Sequence, residues 1–191
     1  MGLTNSSVGS GASQELHSIV RQSPRDRIVA LAGNPNVGKS TVFNALTGLH
    51  QHTGNWCGKT VANASGVCCT DAFRYILVDI PGAYSLFAHS AEEETARNFL
   101  CFDRPDAAVV VCDATCLERS LNLALQTIEL GVRTVVCVNL LDEARRKHIR
   151  IDLDRLADRL GVPVVGTAAR KKHTLRALTG TLDRLPDTPP S

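Results

Sequence analysis

The residues with the plainest chemistry are GNPNVGKS, positions 33–40, which fit the pattern G-x-x-x-x-G-K-[ST]. Gly33 and Gly38 leave the backbone free to wrap its N–H groups around phosphate oxygens. The helix that opens at Lys39 adds a favourable partial charge. Lys39 suits the β- and γ-phosphates, and the Ser40 hydroxyl suits Mg²⁺. Gly33, Asn34, Pro35, Asn36, Val37, Gly38, Lys39, Ser40 and Thr41 are therefore expected to surround a phosphate chain.

A carboxylate and a glycine follow in DIPGAYSL, 79–86. Asp79 leaves a strand where a carboxylate can hold Mg²⁺ through water, and the Gly82 N–H suits a γ-phosphate. Thr60 in GKTV is the candidate for a hydroxyl that joins Mg²⁺ only when GTP is present, because it immediately precedes a strand. Thr53 is its rival. The base is read from VNLLD, 138–142. The Asp142 carboxylate can accept from guanine N1–H and N2–H₂ together, and adenine offers no such pair. Asn139 can bond the base and brace the phosphate loop. GTAAR, 166–170, follows the last strand and places Thr167, Ala168 and Ala169 at the base. Where GTPases commonly have Ser-Ala, this chain has Ala168-Ala169. The hydroxyl that would brace the loop is missing, so GDP is expected to leave quickly. The expected catalytic set is Asn36, Lys39, Thr60 and Gly82. Many GTPases place a water-aiming Gln after the glycine of this loop; here stands Ala83, so assistance must come from a cation, either a partner's arginine or a monovalent ion. The Asn36 amide oxygen is a neutral ligand suited to the latter.

These residues need strands to carry them. RIVALA, TVANASGVCCT, FRYILVDI, DAAVVVCD, RTVVCVN and VPVVGT read as six strands. Only a few residues around Asp71 separate the second and third, too few for a parallel crossover, so that pair is antiparallel. Leu117, Leu121, Ala124, Leu125 and Ile128 mark a helical face ending at Gly131. Asp152 caps a helix with Leu153, Leu156, Ala157 and Leu160 inward and Gly161 at its end. Leu175, Leu178 and Leu182 mark a last helix. The alternation predicts a mostly parallel sheet covered on both faces. Residues 1–26 are a Ser/Gly-rich arm expected to be mobile, 27–185 the folded domain, and 186–191 a tail.

Composition narrows the partners. Of 191 residues, 43% are hydrophobic and 21% charged, an ordinary globular balance, and the net charge is +2. Nucleic acid is not an expected partner, since the only basic runs are the short Arg145-Arg146-Lys147 and Arg170-Lys171-Lys172. Seven cysteines without a CxxC pair read as reduced thiols in a cytoplasmic protein. The longest apolar runs fall far short of a membrane span. His50, His52 and Cys57 in HQHTGNWC invite a metal, but the loop lacks a fourth ligand and solvated side chains are the expectation.

Together these stretches resemble the cytosolic G domain of the bacterial ferrous iron transporter FeoB, from about residue 27 to about 182. GNPNVGKSTVFNALTG is similar to its phosphate loop and first helix. TGNWCGKTV is similar to its first switch, with Cys57 where Pro is usual, and DIPGAYSL with SAEEETAR resembles its second. The resemblance implies an α/β, Ras-like P-loop GTPase fold: a mostly parallel six-stranded sheet with one antiparallel strand and helices on both faces. It implies a slow GTPase regulating Fe²⁺ uptake, with Mg²⁺ as cofactor and K⁺ as activator. K⁺ would be held by Asn36 and backbone of the first switch. It also implies GTP and GDP as ligands and, as partner, a transmembrane iron-transport domain at the inner face of the bacterial inner membrane. That membrane domain and the family's helical domain are not matched by any stretch here, so the chain is not expected to carry iron itself. Self-association is not readable. Two other functions stay open: an assembly GTPase acting on RNA or ribosomes, and an interaction module that barely hydrolyses its nucleotide.

Overall fold

A computed structural model describes residues 21–48, 51–55, 62–87 and 89–186; for 51–55, 62, 63 and 172 it gives the backbone alone. Runs of Val, Ile and Ala cannot present a polar face, so they form strands buried on both sides. These are β1 (Asp26–Gly33), β4 (Arg74–Asp79), β5 (Ala107–Asp113) and β6 (Thr134–Asn139), followed by the short β7 (Val164–Gly166). β5 and β6 are buried along almost their whole length. The first edge carries β2 (Gln51–Asn55) and β3 (Ala62–Cys69).

The strand order is β2-β3-β4-β1-β5-β6-β7. β1, β4, β5, β6 and β7 run parallel, and β3 is antiparallel to both its neighbours. The six expected strands and the single antiparallel strand are all present, and β2 adds a seventh. Residues 51–55, expected in a loop, instead pair with Ala62–Gly66 of β3. Their sequence, QHTGN, has no apolar alternation; the edge of β3 supplies the pairing that the side chains do not announce.

Helices cover both faces, as the alternation of β1 demands. Val29 and Leu31 point to one side, where Val42 and Phe43 of α1 (Lys39–Thr47) and Leu175, Leu178 and Leu182 of α6 (Leu175–Leu182) pack. Ala30 and Ala32 point to the other, meeting Ala96, Phe99 and Leu100 of α2 (Ala91–Phe102) and Leu123 and Ala124 of α3 (Leu117–Glu129). α4 (Leu141–Arg146) and α5 (Leu153–Leu160) complete that layer. Asp152 caps α5 as expected, accepting from Arg155 N–H at 3.0 Å, although none of the inward leucines is fully buried. In α3 the buried centre is Ser120, Leu123, Ala124 and Thr127. Leu117, Leu121 and Ile128 flank it. Leu125 is exposed, a correction to the expected apolar face: it sits one helical step further round than Ala124 and passes out of the contact.

Candidate nucleotide-binding site

Four strands deliver the site from their C-terminal ends, where open α/β sheets leave a crevice. The loop after β1 is forced into shape by close approach. A Cβ on Gly33 would lie 2.7 Å from the Val111 carbonyl oxygen. One on Gly38 would lie 2.5 Å from Asn139 Nδ2, and Gly38 adopts φ 82°, which disfavours any side chain. Asn36 also takes a left-handed turn, φ 67°, which Asn tolerates better than most residues. Pro35 and Asn36 are exposed while Val37 is buried beneath them. The N-terminus of α1 carries no side-chain cap and no acidic residue in its first turn. Its N–H groups and partial positive charge are directed at this loop.

Lys39 and Asp79 are brought together: the ammonium contacts the carboxylate as an ion pair. Ser40 and Thr41 are exposed at the start of α1. The loop after β4 lies against the phosphate loop, with a Cβ on Gly82 only 3.3 Å from Pro35. Ala83 N–H donates to the Gly33 carbonyl at 3.2 Å, and the Ala83 methyl is buried in the core beneath the sheet end. The residue at the water-aiming position therefore faces inward.

Asn139, at the end of β6, is wholly buried. Its Nδ2 donates to the Val37 carbonyl at 3.0 Å. Its Oδ1 accepts from Ala169 N–H at 3.0 Å and from the Thr167 hydroxyl at 3.1 Å. One amide thus ties the phosphate loop to the loop after β7, which is the bracing expected of it. Leu140 turns left-handed at φ 63° and starts α4, and Leu141 N–H donates to the Thr167 carbonyl at 3.1 Å. Asp142 follows in the first turn of α4. A cavity of about 220 Å³ lies between, lined by Asn36, Gly38, Thr41, Asn139, Asp142 and Ala169 among others. A second cavity, of about 20 Å³ at Arg27 and Tyr75 by the opposite end of the sheet, is too small for a nucleotide.

The hydroxyl missing at Ala168 is supplied from elsewhere. Thr174 Oγ1 accepts from Ala168 N–H at 3.1 Å and lies 2.9 Å from the Lys171 carbonyl, to which it donates. Thr174 stands six residues downstream, outside any motif that would have drawn attention to it. The buried thiol of Cys137 borders this region, 3.2 Å from the Thr167 hydroxyl, and that of Cys112 lies on the other face of the sheet, against Ser120. Burial pushes Cys112 up to about 12 and Cys137 to about 11, so both act as small apolar fillers.

Thr60, His50 and Cys57 lie outside the described residues. The backbone of Thr53 and His52 belongs to β2. Among the described residues, no three His, Cys, Asp or Glu side chains gather as a metal cluster, and no helix is long and apolar enough to cross a membrane.

Comparison with known proteins gives a consistent set. A family model described as ferrous iron transport protein B matches residues 27–182. The Fe(2+) transporter FeoB of Salmonella typhimurium is 42% identical over 160 residues, covering 82% of this chain and 21% of that protein. The chain thus spans about a fifth of the length of the curated relatives it matches. Among solved structures, the FeoB G domain of Methanococcus jannaschii is 40% identical with a TM-score of 0.73, covering 83% of this chain and 96% of that one. The cytosolic domain of L. pneumophila FeoB is 37% identical with a TM-score of 0.81, covering 85% and 65%. A mutant of S. thermophilus NFeoB bound to GDP is 37% identical with a TM-score of 0.79, covering 84% and 63%.

Proposed function

The chain belongs to the ferrous iron transport protein B family, as its G domain, and from that premise we propose that residues 27–185 bind and slowly hydrolyse GTP to regulate Fe²⁺ uptake through a transmembrane domain at the bacterial inner membrane. The observation that carries this is the Asn139 amide, which joins the phosphate loop at Val37 to the base loop at Ala169 across the cavity beside Asp142. A phosphate site and a base site held at a fixed separation are what a nucleoside triphosphate requires.

The residue roles follow. Backbone N–H groups of residues 33–41 take the α- and β-phosphates, Lys39 the β- and γ-phosphates, and Gly82 N–H the γ-phosphate. Asp142 accepts from the guanine edge, and the 167–169 backbone lies against it. The donor set fits Mg²⁺: Lys39 reaches the Asp79 carboxylate, so that hard oxygen lies within reach of the phosphate loop. Ser40, Thr60 and Asp79 would hold the ion, which supplies charge neutralisation at the β- and γ-phosphates. Asn36, exposed and turned left-handed beside the cavity, would hold K⁺, and a cation there would supply the charge that Ala83 cannot.

The test is base choice. Asp142→Ala should weaken GTP binding by about 2–3 kcal/mol, because two guanine donors lose their partner. Asp142→Asn should shift preference to xanthosine nucleotides, whose edge offers an acceptor. Equal GTP affinity in wild type and Asp142→Ala, by isothermal titration, removes the guanine assignment.

A further inference from the structure

The loop after β4 is held from two sides, and α3 supplies the second. Gln126 Oε1 accepts from Leu86 N–H at 2.6 Å and from the Ser85 hydroxyl at 3.2 Å. Asn122 Nδ2 donates to the Tyr84 carbonyl at 3.1 Å. The Arg119 guanidinium lies 4.3 Å from the centre of the Tyr84 ring. Residues 119, 122 and 126 are spaced i, i+3, i+7 and so share one face of the helix. That face is not the one buried around Leu123 and Ala124. The same helix also reaches the phosphate loop: the Arg119 carbonyl accepts from Asn34 Nδ2 at 3.2 Å. Asn34 is 4% exposed, and its Oδ1 finds no partner among the described residues, so this single bond fixes its amide.

We propose that the Arg119–Asn122–Gln126 face of α3 is a latch that holds residues 82–86 against the phosphate loop, with Gln126 its principal positioning residue, so that a γ-phosphate meets a Gly82 N–H already in place. This rests on the GTP chemistry proposed above. The loop's near end is fixed by Ala83 N–H on the Gly33 carbonyl and by Gly82 against Pro35. Without its far end, residues 84–86 would have to be ordered when the triphosphate binds, and that entropy would come out of affinity. GDP has no γ-phosphate and makes no use of Gly82. The latch therefore acts on triphosphate over diphosphate, and Gln126 does so through the loop, without touching the nucleotide.

The experiment compares wild type, Gln126→Ala and Gln126→Glu in this 191-residue chain. Amide hydrogen exchange across residues 84–87 is read without nucleotide, and affinities are read for GDP and for a non-hydrolysable imido analogue of GTP. In Gln126→Ala, exchange at Leu86 should accelerate and analogue affinity fall roughly fivefold, the worth of one net hydrogen bond, with GDP affinity within about twofold. Gln126→Glu keeps the acceptor oxygen and should restore both. Asn122→Ala, on an exposed position, should move both readings the same way by less. Unchanged analogue affinity in Gln126→Ala, or an equal loss for GDP and analogue, overturns the latch. A wild-type chain that binds neither nucleotide overturns the GTP site itself, a result separate from either of these.

Discussion

Asn139 and Lys39 occupy the two ends of one site and are held in opposite ways. Asn139 is wholly buried, and its three bonds run to permanent protein partners: Val37, Thr167 and Ala169. Lys39 is half-buried, and its ammonium is paired with Asp79, a group that the proposed chemistry assigns to a metal. The base end is complete as folded. The phosphate end satisfies its charges against one another, and the proposed chemistry requires them to exchange partners. A buried amide network has only protein partners to turn to, whereas a largely buried ion pair that borders a crevice loses nothing if a ligand supplies each charge with a new partner. On the proposed function, recognition is thus built into the core, and the chemistry falls to an ion pair that is 12% and 17% exposed.

The largest effect should come from breaking the buried end. Asn139→Ala strands the Val37 carbonyl, the Ala169 N–H and the Thr167 hydroxyl together. Stability should fall by roughly 3 kcal/mol, a Tm loss of about 6–12 °C for a domain of this size. Urea unfolding showing a loss under about 1 kcal/mol would mean that the amide is not the brace. The next effect belongs to the phosphate end. GTP hydrolysis should run about tenfold faster in K⁺ than in Na⁺, and Asn36→Ala should erase the difference while GTP binding stays largely intact. Equal rates in the two salts, with folded and GTP-bound protein, would point instead to a partner's arginine. A smaller effect sharpens the contrast within the base end. Thr174→Ala unties Ala168 N–H, and stopped-flow release of a fluorescent GDP analogue should quicken about fivefold. Ala168→Ser adds a hydroxyl to a loop already tied by Thr174, so release should slow only about twofold. A faster Ala168→Ser would show that the loop is not limited by bracing.

The same division explains what could be read from residues alone. The phosphate loop, Asp79 and the Asn139-to-Asp142 spacing are local patterns at strand ends, and the structure brings all three to one crevice. Six strands followed from apolar runs and from the length of their connections. β2 did not, because QHTGN has no pattern of its own and depends on the β3 edge. Leu125 was placed inward because it is apolar, but the helix turned its buried stripe one step away. Thr174, Arg119, Asn122 and Gln126 carry no motif. The α3 residues contact positions 35 to 85 residues away, a relation fixed only once the sheet has formed.

The inward methyl of Ala83 has an evolutionary consequence. A glutamine there would not regain a water-aiming side chain by one codon change, because the position points into a packed layer with Ala114 and Leu86. A methylene and an amide would have to enter that layer, at a cost of about 1–3 kcal/mol for overpacking alone. A single substitution at this position therefore does not return such a loop to the glutamine solution, and on the proposed chemistry selection on hydrolysis rate falls on Asn36 and the rest of the cation's surroundings.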